Sequence, residues 1–557
     1  MQKKGVLNFP GKRKDVITSF LLCLVVLIIA LALHPAYETN DDAFMEALLF
    51  GYHGMGNTSF LMFMNRITGC ILYCLVSVCP YVNWYFVMHY SVCLLSLFIL
   101  TLTVIRKNGY KGFFFSLIIL AAGLETLTDV QFTKTAALAS IAGITGLIYA
   151  LREKGKWLLK VVCAWLILAG SMIRFSSLEM VCPFLFLVFL QELLFMLKTR
   201  KENLKRYVIV TGSVLLLVAV FFAAGKIINS MTPGADEYFR YNNNRSMLTD
   251  FHVSDSVDSD PDAMMVADWM NNDPEVITAD KMVQLAMDHH PKDNYLSAGI
   301  PARFFGSYLP GAIISEPLLL AAAAGALMFL IFSKKKIYVV PLLGFYLILE
   351  WYLFGVGRTA VHRVDYGILL SLVVSMICLS DVSMPKVRDD LKKIIRFGAV
   401  PVVTLIGVLV VCTYPINWHI TDREYFRSVS VSLKNATGNS EYQYMVHPIA
   451  LGLNKDRNIY DLPSDFNDGF FYMGGWQEGI GIPGLGSPSL CEIKGNPWKE
   501  CVDSDTIKLV FKVQDGEICI KEIALYIEKN YGRTVTGVLE YQDENIVVYR
   551  IVSAESD

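Results

Sequence analysis

Two short stretches carry acidic residues of a type and spacing that could do proton chemistry. The first is Glu38-Thr39-Asn40-Asp41-Asp42-Ala43-Phe44-Met45-Glu46. A carboxylate held there could act as a general base or bind a metal through hard oxygen atoms. The same residues can cap a helix, since Asn40 or Asp41 at an N-cap and acids in the first turn stabilise the dipole by roughly 0.3–1 kcal/mol each. A cap would also fix a catalytic acid in place. The second stretch is Glu125-Thr126-Leu127-Thr128-Asp129, followed by Gln131-Phe132-Thr133-Lys134-Thr135. Cations stand near both in the expected topology: Lys134, Arg174, Arg358 and Arg363. Carboxylates suit an acceptor nucleophile, and guanidinium or ammonium groups suit a phosphate leaving group. A third stretch holds Tyr238, Tyr241, Asn242, Arg245, Asp250 and Phe251, the aromatic and amide side chains a sugar groove would use, although ordinary loop packing would use them as well. No Walker-type loop, HExxH, GxSxG or paired CxxC occurs.

The elements that must position these residues follow from composition. The chain has 557 residues, 54% hydrophobic and 18% charged, with a mean hydropathy of +0.44. That is too apolar for one soluble core and predicts a polytopic α-helical membrane protein. A formal charge of −2 gives no basic excess for neutralising phosphates, so nucleic acid is not the expected partner. Apolar runs near 16–33, 84–105, 112–127, 130–150, 157–173, 176–197, 207–229, 314–332, 337–356, 365–380 and 396–416 each approach the length needed to cross about 30 Å of hydrocarbon. The run at 60–82, interrupted by Pro80, is expected to lie at the interface or re-enter.

Basic clusters at Arg106–Lys107, Arg152–Lys156, Lys198–Arg206, Lys334–Lys336 and Lys386–Arg396 then set sidedness. About eleven spans are expected in the plasma membrane, the first retained, with the N-terminus cytoplasmic and the C-terminus extracytoplasmic. The predicted organisation is a membrane domain at 1–416, with outer loops at 35–66 and 231–303, and a small α/β or α+β extracytoplasmic domain at 417–557. Strand patterns fall at 506–513, 537–540 and 546–552, with a helix at about 520–530. Gly474-Gly475-Trp476 reads as a turn around a surface tryptophan. Cys491 and Cys501 could close a disulfide on the outer side.

The acidic knot after the first span, the one-sided topology and the late outer domain together resemble the GT-C superfamily of membrane glycosyltransferases. Those enzymes, which include protein O-mannosyltransferases and aminoarabinose transferases, often carry Asp-Glu-Ala and then an aromatic in the first outer loop. Asp41-Asp42-Ala43-Phe44 occupies that pattern here, with Asp42 in place of the usual Glu, which leaves open which acid is primary. Asp129 matches a second acid of the next outer loop. The resemblance implies transfer of a sugar from a polyprenyl-phosphate donor to a cell-envelope glycan, glycolipid or protein acceptor, with inversion. It also implies Asp41 or Asp42 as base, supported by Asp129, with Lys134, Arg174 and Arg363 on the phosphate and Tyr241 and Arg245 toward the substrate. No cofactor is required, although Asp41, Asp42 and Asp129 could hold a divalent cation such as Mg or Mn. A transporter or flippase of lipid-linked sugars, or a polysaccharide-assembly protein, is the competing reading.

Overall fold

The computed structural model describes residues 13–51, 57–152, 156–199, 201–251, 255–290, 299–332, 335–358, 361–380, 400–439, 441–447, 459–460, 462, 470–476, 480–482 and 495–554. Among the described residues, eight helices are long and apolar enough to cross a membrane: Arg13–Ala32, Trp84–Asn108, Tyr110–Thr128, Phe132–Ala150, Phe175–Thr199, Leu204–Ser230, Lys336–Gly355 and His362–Leu379. A ninth forms if Gly299–Ser315 and Pro317–Leu327, bent by 100° against each other, count as one span. Helix Trp157–Ile173 and the apolar segment Thr404–Thr413 occupy the two other expected positions but are shorter. The bend was not foreseen. Its cause is local: Pro317 forces Glu316 out of helical geometry, to φ −105° and ψ 99°.

Phe132–Ala150 lies at the centre of the bundle, buried along almost its whole length. Its close neighbour Trp157–Ile173 reaches it through glycines. A Cβ on Gly170 would stand 2.4 Å from Ser140 Oγ, and one on Gly143 would stand 2.7 Å from Cys163 O. Small residues permit such close approach where no hydrophobic drive separates helix from lipid. The contact sets Lys134, on one helix, relative to Arg174, at the end of the other.

Beyond the first helix, strand β1 (Ala36–Tyr37) pairs in parallel with β2 (Asp129–Val130), Ala36 opposite Asp129. This two-residue ladder ties the first acidic stretch to the second. Helix Asn40–Phe50 follows and ends on Gly51, whose φ of 77° is the left-handed C-cap that glycine supplies without strain. Helix Arg66–Val78, 13 residues long, spans only about 20 Å and is too short to cross.

The last helix before the sheet, Val400–Ala436, runs 37 residues without a break, so the boundary expected at 417 falls inside it. The sheet that follows has the order β4-β3-β5-β7-β6, from β3 (Gln443–Val446), β4 (Phe470–Tyr472), β5 (Ile507–Lys512), β6 (Val535–Gln542) and β7 (Ile546–Ser553). β3 pairs in parallel with both β4 and β5. β7 runs antiparallel to both β5 and β6. Helix Gly516–Tyr531 covers one face, and its Cys519, Ile520, Ile523, Tyr526 and Ile527 share a core with Leu509, Phe511 and Val547.

That core does not stop at the sheet. Tyr241, Leu248, Met265, Val266, Met282 and Leu285 of the 231–303 segment belong to it too, so the two outer pieces form one body. Polar ties reinforce the join. Asp262 meets Lys281 at 2.7 Å and Lys529 at 2.9 Å and accepts from Asn530 Nδ2 at 2.8 Å. Burial alone would raise the Asp262 carboxyl, but these donors outweigh it and hold the group below the ordinary carboxylate range. A depressed carboxyl contributes stability that is present above its unfolded pKa and lost as pH falls through its folded value. Acidifying below about pH 4 should therefore loosen this join first, read as faster amide exchange in Pro261–Ala267 and Gly516–Tyr531 than in the membrane helices. Cys501 is buried as a free thiol, its Sγ 3.1 Å from Trp498 O. Cys491 lies outside the described residues.

Candidate active site

The two adjacent acids of the first loop have opposite environments. Asp42 is fully buried. Its Oδ1 accepts from Tyr85 OH at 2.8 Å and from the Phe132 amide at 3.1 Å, and its Oδ2 accepts from Thr39 Oγ1 at 3.3 Å. Burial pushes this carboxyl well above the usual range, and the nearby Asp41 and Glu38 charges push the same way. Asp42 therefore anchors helix Asn40–Phe50 to the start of Phe132–Ala150. Asp41, one residue earlier, is only half-buried, and its Oδ1 accepts from the indole N–H of Trp476 at 2.9 Å. Its Oδ2 has no protein donor among the described residues. Of the pair, Asp41 is the acid left partly open to solvent.

Trp476 is not the surface residue expected from its glycine-rich turn; it is 3% exposed. Phe63 meets it edge-on with ring centres 5.3 Å apart, and Phe44 does so at 6.2 Å. Phe63 in turn stacks on Phe132 at 5.4 Å with the planes 10° apart. Over the Phe132 ring, 4.9 Å from its centre, sits the Arg174 guanidinium. A ladder of aromatic rings thus runs from the half-open carboxylate of Asp41 to a guanidinium. Arg174 donates from Nε to Ser176 Oγ at 3.1 Å and lies within electrostatic reach of Arg363, Arg358, Asp41 and Asp42. Neither Arg174 nor Arg363 has a carboxylate within ion-pair distance among the described residues. Arg358 does: it reaches Asp250 at 3.3 Å and lies over Phe251.

Lys134 is brought to the same end of the bundle but arrives with its charge satisfied. It is completely buried, with Nζ 2.7 Å from Glu38 Oε2 and 2.9 Å from Glu125 Oε1. Glu125 Oε1 also lies 2.6 Å from His362 Nε2, and His362 Nδ1 lies 3.2 Å from Glu316 Oε2. A continuous line of five ionisable groups therefore links the first loop to the bend at Glu316. Lys134, expected on the donor phosphate, thus has two carboxylates beside its ammonium, which supply its countercharge.

Asp129 is likewise engaged. Its Oδ1 lies 2.9 Å from His419 Nδ1, and Thr128 Oγ1 donates to its Oδ2 at 3.0 Å. His419 Nε2 faces the Leu33 and His34 carbonyls at 2.8 and 3.0 Å. With acceptors on both ring nitrogens, His419 donates from both, which is the imidazolium form. Asp129 and His419 together pin the long helix Val400–Ala436 to the end of the first span. His419 escaped the sequence reading because its partners are 290 and 385 residues away.

Tyr241 and Arg245, expected toward the substrate, are buried and engaged by their own segment. Tyr241 is fully buried, its hydroxyl donating to Asn271 O at 3.1 Å. Arg245 is 3% exposed, donates to Asn242 Oδ1 and Thr249 Oγ1, and lies 4.5 Å from the centre of the Trp269 ring. Both serve the core of the outer body. Among the described residues, no three His, Cys, Asp or Glu side chains gather closely enough to hold a metal ion. The set Asp41, Asp42 and Asp129 does not fit a divalent cation, because Asp42 is enclosed by donors and Asp129 is paired with His419.

No family model matches this sequence, and no curated protein matches it. Two solved structures align with 96% of this chain and 97% of their own. The crystal structure of ArnT from Cupriavidus metallidurans bound to undecaprenyl phosphate does so at 12% identity and a TM-score of 0.40. The apo state of the same protein does so at 10% identity and a TM-score of 0.40. The likeness extends along nearly the whole of both chains and fixes no residue's role.

Proposed function

We propose that this protein is a membrane glycosyltransferase that moves a sugar from a polyprenyl-phosphate donor to a hydroxyl of a cell-envelope acceptor. The observation that carries the reading is the presence, at one end of a helical bundle, of a half-open carboxylate, Asp41, together with two guanidinium groups, Arg174 and Arg363, that have no carboxylate partner among the described residues. The Asp41-Asp42-Ala43-Phe44 pattern of the first loop supports it. In this scheme the acceptor oxygen attacks the anomeric carbon while its proton passes to Asp41 Oδ2. The bond from that carbon to the phosphate oxygen breaks on the opposite side, which inverts the anomeric centre. The charge that grows on the departing polyprenyl phosphate is stabilised by Arg174 and Arg363. Lys134 and Asp129 hold the acidic loops in place and act through them, as Tyr241 and Arg245 do through the outer body. Lys107, Arg152 and Lys198, at the other end of the bundle, support a cytoplasmic assignment for that end and an outer one for the site.

The test is mass spectrometry of lipid carriers after incubation of the purified protein with a panel of polyprenyl-phosphate sugars and crude envelope acceptor. Release of free polyprenyl phosphate is the expected result. The Arg174→Ala/Arg363→Ala variant should raise donor KM by about tenfold or more, each charged contact being worth roughly 1.5–3 kcal/mol. One observation favours a second reading, transport of the lipid-linked sugar: the bent pair at Pro317 lies beside Glu316, and Glu350 and Asp365 are buried in the adjoining helices. Movement of labelled donor across a vesicle membrane without release of polyprenyl phosphate would select it.

A further inference from the structure

Trp476 belongs to the C-terminal domain, 435 residues from the acid it touches. We propose that it is a positioning residue for Asp41, so that the outer body completes a site otherwise built by the membrane bundle; this rests on the transferase reading above. An indole N–H can only donate. Held on Oδ1 at 2.9 Å, it fixes the rotation of the carboxylate and leaves Oδ2 for the incoming proton. The tryptophan is itself held from several sides. Phe44 and Phe63 flank the ring, and Tyr238 OH donates to the Trp476 carbonyl at 2.7 Å. The turn before it is locked by Asn271, whose Oδ1 accepts from the Gly475 amide at 2.9 Å and whose Nδ2 reaches Gly475 O at 3.2 Å. Asn271 Nδ2 also donates to Tyr241 OH at 2.7 Å. Gly474 has no room for a side chain, since a Cβ there would stand 2.2 Å from Trp269 O, and Gly475 has a φ of 124°, which favours glycine. A line of contacts therefore runs from Tyr241 through Asn271 and Gly475 to Trp476 and ends on Asp41. This gives the buried Tyr241 and the glycine pair a part in catalysis without contact with substrate.

The test pairs kinetics with a signal that does not need turnover. Trp476→Phe keeps an aromatic ring between Phe44 and Phe63 but removes the donor. It is expected to lower kcat by about tenfold or more, as loss of a hydrogen bond to a charged group does, with donor KM within about twofold of wild type. Gly474→Ala, which displaces the turn and leaves the indole intact, should give the same split between kcat and KM. In protein carrying 15N-labelled tryptophan, the indole resonance that disappears in Trp476→Phe should move in Asp41→Asn. An indole resonance blind to Asp41→Asn, or wild-type kcat in Trp476→Phe, would overturn the positioning role. An indole that responds to Asp41 in a protein releasing no polyprenyl phosphate from any donor would overturn the transferase reading instead.

Discussion

Asp41→Asn is expected to lower turnover by about 10²–10⁴-fold, the range that a positioned general base contributes, while leaving the protein folded and donor affinity near wild type. Asparagine keeps an acceptor oxygen for the Trp476 indole but cannot take a proton from the acceptor hydroxyl. The neighbouring change should behave differently. Asp42 is enclosed by Tyr85, Thr39 and the Phe132 amide, so Asp42→Asn keeps its main acceptor atom and should retain most activity. It should also change the pH dependence of stability. A carboxyl whose folded pKa is raised carries no penalty below its unfolded value, and the penalty grows as pH rises from there toward the folded pKa. The stability of Asp42→Asn relative to wild type should therefore improve with rising pH above about 4, measured as the difference in Tm across a pH series. Assaying the two single variants side by side decides which acid is the base. Full activity in Asp41→Asn with loss in Asp42→Asn would reverse the assignment and reject the scheme.

Lys134→Met should be among the most destabilising single changes in the bundle, by about 3–5 kcal/mol, because it strips the countercharge from two buried carboxylates at once. Glu38 and Glu125 would then face each other without the ammonium that now lies 2.7 and 2.9 Å from them. His362 would still face Glu125, but nothing in the line would replace the contact to Glu38. Thermal unfolding in detergent measures this directly. Adding Glu38→Gln to Lys134→Met should recover part of the loss, since it removes an unpaired charge. The alternative role, direct contact with the donor phosphate, predicts another pattern: normal stability and a raised donor KM. A Lys134→Met protein as stable as wild type would show that the ammonium is not the structural centre of this charge line.

The sequence by itself determined the class of molecule. Apolar run lengths are read directly in helix lengths, because a membrane span must satisfy its backbone internally, and the expected spans are helical over most of their described residues, the break at Glu316 excepted. The strands at Ile507–Lys512, Val535–Gln542 and Ile546–Ser553 and the helix at Gly516–Tyr531 were likewise legible, since side-chain periodicity is a local property. Local patterns also marked Asp41, Asp42, Glu125, Asp129, Lys134 and Arg174 as residues of interest. Tertiary structure decided what each of them does. Asp41 and Asp42 are indistinguishable as adjacent acids, and only the approach of Tyr85 and Phe132 to one and Trp476 to the other separates an anchor from an open carboxylate. Lys134 reads as a free cation until Glu38 and Glu125 converge on it, one from the first loop and one from the end of helix Tyr110–Thr128. Tyr241 and Arg245 have the composition of a sugar groove, but the sheet of the C-terminal domain closes over their segment and turns them into core. The reach of Val400–Ala436 past residue 416 and the arrival of Trp476 at the first loop share one physical origin. Each depends on contacts between segments far apart in the chain, and hydrophobic periodicity carries no record of which distant segment will supply the partner.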